Sequence, residues 1–276
     1  MKKRALLLLT ILAGIVISCQ SGKKNKENME KETMLRIETN MGDITVKLYN
    51  ETPTHRDNFI KLAKEGTYNG TLFHRVIKDF MIQAGDPDSK EAQKGQSLGS
   101  GDVGYTLPAE FVYPKLFHKK GVLAAARQGD QVNPEKRSSG CQFYIVTGQV
   151  FDEAALSALE QRRNIPKINK TFDSLRTTYA DEITRLQKEK NQDGLYDLQE
   201  KMLKEAEGMI ENPFRFTKEQ IEAYTTTGGT PHLDSDYTVF GEITDGMDVV
   251  DKIQKVETNQ QDRPEEDIRI KKIVLL

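Results

Sequence analysis

The sequence predicts a mainly β protein, a closed antiparallel barrel capped by two helices, with an α-helical hairpin inserted in one barrel loop. Short apolar runs of strand length, separated by glycine-containing connections and joined by only two isolated helical patterns, predict the barrel. Residues 151–228 lack strand patterns and carry apolar residues at helical spacing, which predicts the insertion. We therefore expect a barrel formed by residues 34–150 and 229–276, interrupted by an insertion at 151–228.

The barrel begins with a predicted β-hairpin followed by a helix. Residues 44–48 alternate apolar and polar side chains, as a strand with one buried face does, and residues 35–37 show the same alternation. The segment 40–43 (NMGD) supplies the turn between them. Thr52-Pro53 is typical of an N-cap followed by a first-turn proline, and Gly66 is typical of the end of the helix.

The other barrel elements follow along the chain. Five short apolar runs predict strands, at 71–77, 80–83, 121–126, 142–146 and 238–243. Residues 247–253 predict the second helix, and residues 268–276 predict a terminal strand.

The insertion is predicted to contain two long helical segments and a third short helix. The first segment has apolar residues at helical spacing, namely Phe172, Leu175, Tyr179, Ile183 and Leu186. The second has a similar set, namely Leu195, Leu198, Met202, Ala206 and Met209. Residues 191–194 (NQDG) separate the two segments, and residues 217–220 (TKEQ) form a capping-box pattern. Two interpretations remain open, an arm that binds a protein partner or substrate, and a solvated decoration packed on itself or on the barrel.

The first 33 residues are predicted to lie outside the fold. Lys2–Arg4 carry positive charge, and residues 5–17 form an apolar run shorter than the about 20 residues that a membrane-spanning helix needs. The run ends in Val-Ile-Ser ahead of Cys19, which resembles a bacterial lipobox. We expect residues 1–18 to be a signal peptide and residues 19–33 a flexible tether, lipidated at Cys19 and held on the periplasmic side of a bacterial membrane. The alternative is an ordinary signal peptide in which Cys19 is incidental.

Composition and spacing argue against several classes of function. Among 276 residues, 40 Lys and Arg stand against 42 Asp and Glu, so the net charge of −2 argues against a nucleic-acid binder. The four histidines lie far apart, so no metal site is predicted. Residues 99–104 fit a dinucleotide-binding glycine pattern, but residues 105–108 (YTLP) cannot begin the helix that such a site needs. Cys141 is interpreted as a small buried residue rather than a nucleophile.

Six segments in a fixed order carry the functional signal. They are 73–77 (FHRVI), 80–86 (FMIQAGD), 121–126 (GVLAAA), 140–145 (GCQFYI), 233–234 (LD) and 237–241 (YTVFG). Together they resemble the cyclophilin family of peptidyl-prolyl cis–trans isomerases. The resemblance implies an eight-stranded antiparallel barrel with a groove that binds proline-containing segments of client proteins.

The chemistry that the resemblance implies needs only positioned side chains. Rotation about a peptide bond crosses a barrier of about 18–20 kcal/mol, somewhat lower for X-Pro bonds. No bond to a nucleophile forms, so neither a cofactor nor a metal is expected. The resemblance implies that Arg75 donates a hydrogen bond to the proline nitrogen as its lone pair localises. One charge-assisted hydrogen bond of about 1.5–3 kcal/mol supplies on the order of a hundredfold in rate.

The resemblance also implies a set of substrate-binding residues. The proline pocket would be formed by Phe80, Met81, Tyr144 and Leu233. The substrate main chain would be held by Gln83, Gln142 and the Ala126 backbone. Tyr237 would lie at the rim, and His74 would support Arg75. Neighbouring strand residues point to opposite faces, so only one of Phe143 and Tyr144 reaches the pocket, and the family pattern selects Tyr144.

Four positions depart from the family pattern. His232 stands where many members carry Trp, Tyr144 replaces the usual Phe, Tyr237 a frequent His, and Arg127 a frequent Asn. Arg75 and the 80–83 group are intact, so we expect activity to survive. The absence of the family's Trp at position 232 and of its Asn at position 127 puts cyclosporin binding and peptide selectivity in doubt.

Three hypotheses follow for the role of the protein. The leading one is an envelope isomerase that acts on X-Pro bonds of exported proteins, and the intact Arg75 group favours it. The second is a chaperone that grips proline segments, with turnover incidental, and the third is an envelope scaffold. The long charged arm at 151–228 favours the second and third hypotheses, because a simple isomerase does not need it.

Overall fold

The structure is a computed structural model, and it describes residues 32–276. The predicted signal peptide and Cys19 lie outside the described residues, as does most of the predicted tether. None of the helices in the described part of the chain is long and apolar enough to cross a membrane.

The described chain is dominated by one antiparallel sheet. Its strands and those of a small separate ladder are β1 (Thr33–Thr39), β2 (Gly42–Leu48), β3 (Arg75–Ile77), β4 (Met81–Ala84), β5 (Thr106–Leu107), β6 (Val122–Ala125), β7 (Ser138–Ser139), β8 (Phe143–Val146), β9 (Val239–Asp245) and β10 (Ile270–Leu275). The main sheet contains eight of them in the order β10-β1-β2-β9-β6-β8-β4-β3, and β5 pairs with β7 alone. The eight-stranded antiparallel architecture is confirmed, whereas the β5–β7 ladder was not expected from the sequence.

The two edges of the sheet approach each other, and this curls the sheet into a barrel. The Phe73 amide donates to the Ile268 carbonyl over 2.8 Å, just ahead of β3 and β10. Thr71 accepts from the Ile270 amide, also over 2.8 Å. These bonds use backbone groups that an open edge would leave unpaired. The predicted strand at 71–77 is therefore shorter than expected, because residues 71–74 bond across the closure outside β3.

Six helices accompany the strands in residues 32–276. They are α1 (Pro53–Lys64), α2 (Glu153–Thr178), α3 (Ala180–Lys188), α4 (Gln192–Gly208), α5 (Lys218–Thr226) and α6 (Met247–Ile253). Helices α1 and α6 are the two predicted caps. They bury Phe59 and Val250, among others, in the main core, where the Phe59 ring meets the Phe143 ring edge-on at 5.2 Å. That core occupies one face of the sheet, and β8 presents Phe143 to it.

The insertion contains four helices, α2 to α5, arranged around two apolar clusters. The distal cluster belongs wholly to the insertion and is built from Leu175, Leu186, Leu198, Met202 and Ala206. The proximal cluster joins insertion and barrel and is built from Phe117, Leu156, Phe216 and Tyr224. The predicted capping box is present, since the Thr217 and Gln220 side chains each accept from the other's backbone amide.

The first predicted segment of the insertion divides at Tyr179. Apolar spacing predicted one helix across 172–186, but α2 ends at Thr178 and α3 begins at Ala180. The Tyr179 backbone leaves the helical range, and its hydroxyl donates to Glu205 on α4 over 2.8 Å. The break thus lies at a residue whose side chain binds a neighbouring helix, a contact that spacing along the chain does not encode.

Candidate active site

Strand pairing places the predicted site residues in one row. Arg75 on β3 lies opposite Gln83 on β4, Gln83 lies opposite Tyr144 on β8, and Tyr144 lies opposite Ala124 on β6. Directly paired residues project from the same face of a sheet. The row therefore carries Arg75, Gln83 and Tyr144 on the face away from Phe143 and the main core.

A cavity of about 100 Å³ lies on this face. It is lined by Arg75, Phe80, Met81, Gln83, Ala126, Arg127, Tyr144, Leu233 and Tyr237. The lining includes most of the residues predicted for the site, and Arg127 in addition. Gln142 and His74 are not among the residues that line it. Apolar cavities of about 150 Å³ hold benzene, so this one has the scale of a single small ring.

Arg75 stands at the edge of the cavity and is only lightly held. Its side chain is 42% exposed, and its Nε lies 3.5 Å from a carboxylate oxygen of Asp262. The Asp262 carbonyl accepts from the Val76 amide over 2.8 Å, which fixes the loop against β3. The Arg75 guanidinium carries five N–H donors in a rigid fork and stays charged at any working pH. The pairing with Asp262 leaves donors of the fork available to a bound peptide.

Gln83 and Gln142 form a single amide pair. The Gln83 Nε2 donates to the Gln142 Oε1 over 2.9 Å. The Gln142 Nε2 donates in turn to the carbonyls of Gly99 and Gly101, over 3.0 and 2.8 Å. Both donors of the Gln142 amide are therefore used by the loop at 99–101. Gln142 thereby orients Gln83, which lines the cavity, and Gln142 itself lines a wider cavity beside it.

Tyr144 presents its ring to the cavity and turns its hydroxyl away from it. The side chain is 4% exposed, and its hydroxyl lies 3.0 Å from His118 Nε2. Burial raises the pKa of Tyr144 well above its usual value, so the hydroxyl stays protonated. Tyr144 replaces the family's usual Phe, so this hydroxyl is an addition to the predicted proline pocket. In the structure, His118 binds it behind the wall, so the wall itself is aromatic carbon.

Two further histidines lie near the cavity. His232, in the position of the family's Trp, stacks on Phe80 with ring centres 5.5 Å apart. His74 is buried directly ahead of β3, and in the described residues no hydrogen bond joins its ring to the Arg75 side chain. Burial lowers the pKa of both imidazoles, so both are neutral near pH 7. Asp262, rather than His74, is the ionic partner of Arg75.

Arg127 is a cavity residue that sequence reasoning did not assign to the site. Its guanidinium lies 4.4 Å from the centre of the Tyr237 ring, and its Nε donates to the Asp236 carbonyl over 2.7 Å. The side chain is only 5% exposed. Its place directly after Ala126 was the available signal. The cavity therefore has a second, firmly held guanidinium opposite the loosely held one of Arg75.

A wider cavity of about 680 Å³ adjoins the first and shares Gln83, Ala126 and Arg127 with it. The Ala126 amide donates to the Gln142 carbonyl over 3.0 Å. The Ala126 carbonyl accepts from the Ser139 amide over 2.8 Å. At this residue a bound peptide can use only the second lone pair of the carbonyl.

The site is suited to a reaction without a covalent intermediate. Its one nearby thiol, Cys141, is 3% exposed, and burial raises its pKa to about 11. A protonated buried thiol is a poor nucleophile. The arrangement instead offers a cavity for a small ring, with aromatic and aliphatic side chains in its walls and a permanent cation at its edge.

The comparisons with known proteins agree with this geometry. Residues 34–275 match the family described as cyclophilin type peptidyl-prolyl cis-trans isomerase/CLD. A Staphylococcus saprophyticus protein, provisionally named a peptidyl-prolyl cis-trans isomerase, is 31% identical over 254 residues, covering 91% of this chain and 96% of its own. A Streptococcus pyogenes protein, provisionally named a bifunctional phosphatase/peptidyl-prolyl cis-trans isomerase, is 33% identical over 86% of this chain and 37% of its own.

A solved structure supports the same fold. A Cryptosporidium parvum cyclophilin superposes with a TM-score of 0.51 at 21% identity, covering 89% of this chain and 98% of that one. A likeness at that identity speaks for the fold, and the family match speaks for the activity. The chain therefore belongs to the cyclophilin family of peptidyl-prolyl cis–trans isomerases.

Proposed function

We propose that this isomerase acts on X-Pro bonds of exported or envelope proteins and assists their folding, with Arg75 as the catalytic residue. The observation that carries the proposal is the position of the Arg75 guanidinium at the edge of the 100 Å³ cavity formed around Tyr144. A proline ring held there would bring its nitrogen beside a donor that cannot lose its proton.

The cavity and the guanidinium would lower the barrier in two ways. An apolar wall disfavours the dipolar resonance form that makes the peptide bond planar, because a charge-separated form is poorly solvated there. As the bond twists, the nitrogen lone pair localises and accepts a hydrogen bond that the planar ground state does not accept. An interaction stronger in the transition state than in the ground state raises the rate.

The test is the substitution Arg75→Ala, with Arg36→Ala as its matched control. Arg36 lies on β1, away from the cavity, and its side chain is 41% exposed against 42% for Arg75. We expect Arg75→Ala to lower kcat/KM for cis-to-trans exchange of a short X-Pro peptide by on the order of a hundredfold. Arg36→Ala should leave it unchanged.

Exchange rates from NMR line shapes and peptide affinity from titration would be measured on the same samples. Equal rates for wild type and Arg75→Ala, with peptide still bound, would refute the catalytic assignment. That outcome would favour the second hypothesis, a proline-binding chaperone. The exposed apolar side chains of α4, Tyr196 at 72% and Leu203 at 43%, would then be the first surface to test for a protein partner.

We propose further that Cys19 anchors the protein in the bacterial cell envelope, facing the periplasm. The support is the sequence alone, a cationic start, a 13-residue apolar run and a cysteine after small residues. Cys19→Ala should move the protein from the membrane fraction to the soluble fraction and abolish labelling by a fatty acid. Labelling that survives the substitution would contradict the anchor.

A further inference from the structure

The turn at 231–234 forms one wall of the proline cavity, and the insertion holds it from behind. This turn carries Leu233 into the cavity lining and places His232 on the Phe80 ring. Arg163, on α2 of the insertion, donates from NH2 to the carbonyls of His232 and Asp234, over 3.1 and 2.6 Å. One guanidinium from the insertion thus binds both ends of the segment that presents Leu233.

A buried carboxylate joins the same turn to a second helix of the insertion. Asp234 is fully buried. Its Oδ1 accepts from the His118 amide over 2.8 Å and lies 3.0 Å from His118 Nδ1, both in the barrel. Its Oδ2 accepts from the Tyr224 hydroxyl over 2.7 Å, and Tyr224 lies on α5. One carboxylate oxygen is therefore satisfied by the barrel and the other by the insertion.

The chain of hydrogen bonds continues to the cavity wall. A carboxylate only accepts, so His118 donates from Nδ1 to Asp234, and on its other side Nε2 lies within hydrogen-bond distance of the Tyr144 hydroxyl, at 3.0 Å. Tyr224, Asp234, His118 and Tyr144 therefore form one continuous path from α5 to the ring that lines the cavity. Each of these four side chains is at most 4% exposed, so water does not substitute for a missing member.

We propose that the helical insertion is a positioning element of the proline cavity, acting through Tyr224 on Tyr144 and through Arg163 on the 231–234 turn. The inference rests on the proposed isomerase function and deepens it. The two contacts leave different helices, α5 and α2, and reach different walls of the cavity. Neither Tyr224 nor Arg163 touches the cavity itself, so both are positioning residues rather than catalytic ones.

The test removes one hydroxyl at a time from the interface between barrel and insertion. Tyr224→Phe deletes the bond to Asp234, and Tyr113→Phe is the matched control. Tyr113 also donates its hydroxyl to α5, over 3.1 Å, but to Gln220 Oε1, which keeps its bond from the Thr217 amide, so the cap of α5 survives the substitution. We expect Tyr224→Phe to lower kcat/KM by about three- to tenfold, because a hydrogen bond to a charged group is lost. Tyr113→Phe should leave kcat/KM unchanged.

A second pair tests the guanidinium. Arg163→Met should weaken binding of a proline peptide and raise KM more than it lowers kcat, because the Leu233 wall loosens while Arg75 stays in place. Arg162→Met is the control, since Arg162 is its exposed neighbour on α2. Equal KM values for the two variants would overturn the role of Arg163.

Two readouts separate positioning from a loss of fold. The ¹⁵N resonances of the His118 ring should shift in Tyr224→Phe and stay in Tyr113→Phe. In a double-mutant cycle, Tyr224→Phe should have a smaller effect when Tyr144→Phe is already present, since the path is then broken at its end. Independent, multiplicative effects, or a Tyr224→Phe variant with wild-type kcat/KM, would overturn the inference. An inactive wild type would instead refute the proposed function, so the two failures are distinguishable.

Discussion

The two apolar clusters of the insertion differ in what they pack against. The proximal cluster shares Phe117 with the barrel, and its Tyr224 also binds the buried carboxylate behind the cavity. The distal cluster contains side chains of the insertion only, around Met202. One inserted segment therefore has an end that is part of the barrel's own packing and an end that packs on itself. A single label for the insertion, whether arm or decoration, misses this division.

The largest expected effect separates the two clusters by stability. Phe117→Ala should cost about 3–5 kcal/mol in the free energy of unfolding of the whole chain, and activity should fall with it. Met202→Ala truncates a side chain that is 2% exposed and should cost about 2–5 kcal/mol of stability. This loss should be confined to the helices around the distal cluster. Hydrogen exchange resolved by segment, together with kcat/KM, measures both.

For Met202→Ala we expect faster hydrogen exchange in α3 and α4 and unchanged hydrogen exchange in β3 and β4. Faster exchange in both regions would show that the helices around the distal cluster unfold together with the barrel. The two clusters would then differ in the residues they contact, but this difference would not affect how the regions unfold.

The second comparison concerns how the stability of the barrel and of the insertion depends on pH. The four histidines all lie in the barrel sequence, at positions 55, 74, 118 and 232, and none lies in residues 151–228. Burial lowers the pKa values of His55, His74 and His232 below the usual 6.5. Between the folded pKa and 6.5 the unfolded chain binds more protons, so this stability is complete above pH 6.5 and is lost as the pH falls.

The free energy of unfolding should therefore decrease from pH 7 to pH 5, by at most about 1.4 kcal/mol per pH unit for each histidine. Urea titrations at both pH values measure the slope, and His74→Gln should reduce it. Carboxylates such as Glu242, whose two lysine partners hold its pKa at about 2 despite burial, titrate below this window. A slope that His74→Gln leaves unaltered would contradict the assignment to buried imidazoles.

The sequence predicted the features that depend on patterns within one element better than those that depend on contacts between elements. Alternation at 44–48 and the apolar runs around Arg75 and Tyr144 predicted strands, and alternation also required that only one of Phe143 and Tyr144 face the cavity, because a strand's side-chain period is local. The family resemblance then selected residues that the structure places around one cavity. Those steps depended on patterns within single elements.

The features that were missed depend on contacts between elements. Gln142, predicted to hold the substrate main chain, also donates its amide to two carbonyls of the distant loop at 99–101. Tyr179, where the helix breaks, binds Glu205 through its hydroxyl, and the Tyr144 hydroxyl lies against His118. Partners far apart in sequence leave no periodic signal, so these roles could not be inferred from the chain alone.

The smallest expected effect is also the most discriminating, because it compares two helix caps that bind the same backbone position of their helices. Thr217 caps α5 by accepting from the Gln220 amide, and Asn191 caps α4 by accepting from the Gly194 amide. Replacing either by Ala should cost about 1 kcal/mol of helix stability. Only α5 carries Tyr224, so only Thr217→Ala should reach the cavity.

We expect Thr217→Ala to lower kcat/KM by about twofold, since a frayed α5 weakens the bond from Tyr224 to Asp234. Asn191→Ala should leave the rate unchanged while raising hydrogen exchange at the start of α4. Equal rates for the two variants at equal losses of stability would mean that the barrel holds Asp234 without help from α5. Because each substitution removes one side-chain bond to the third amide of its helix, a difference in rate between the variants would trace to the position of each helix relative to the cavity.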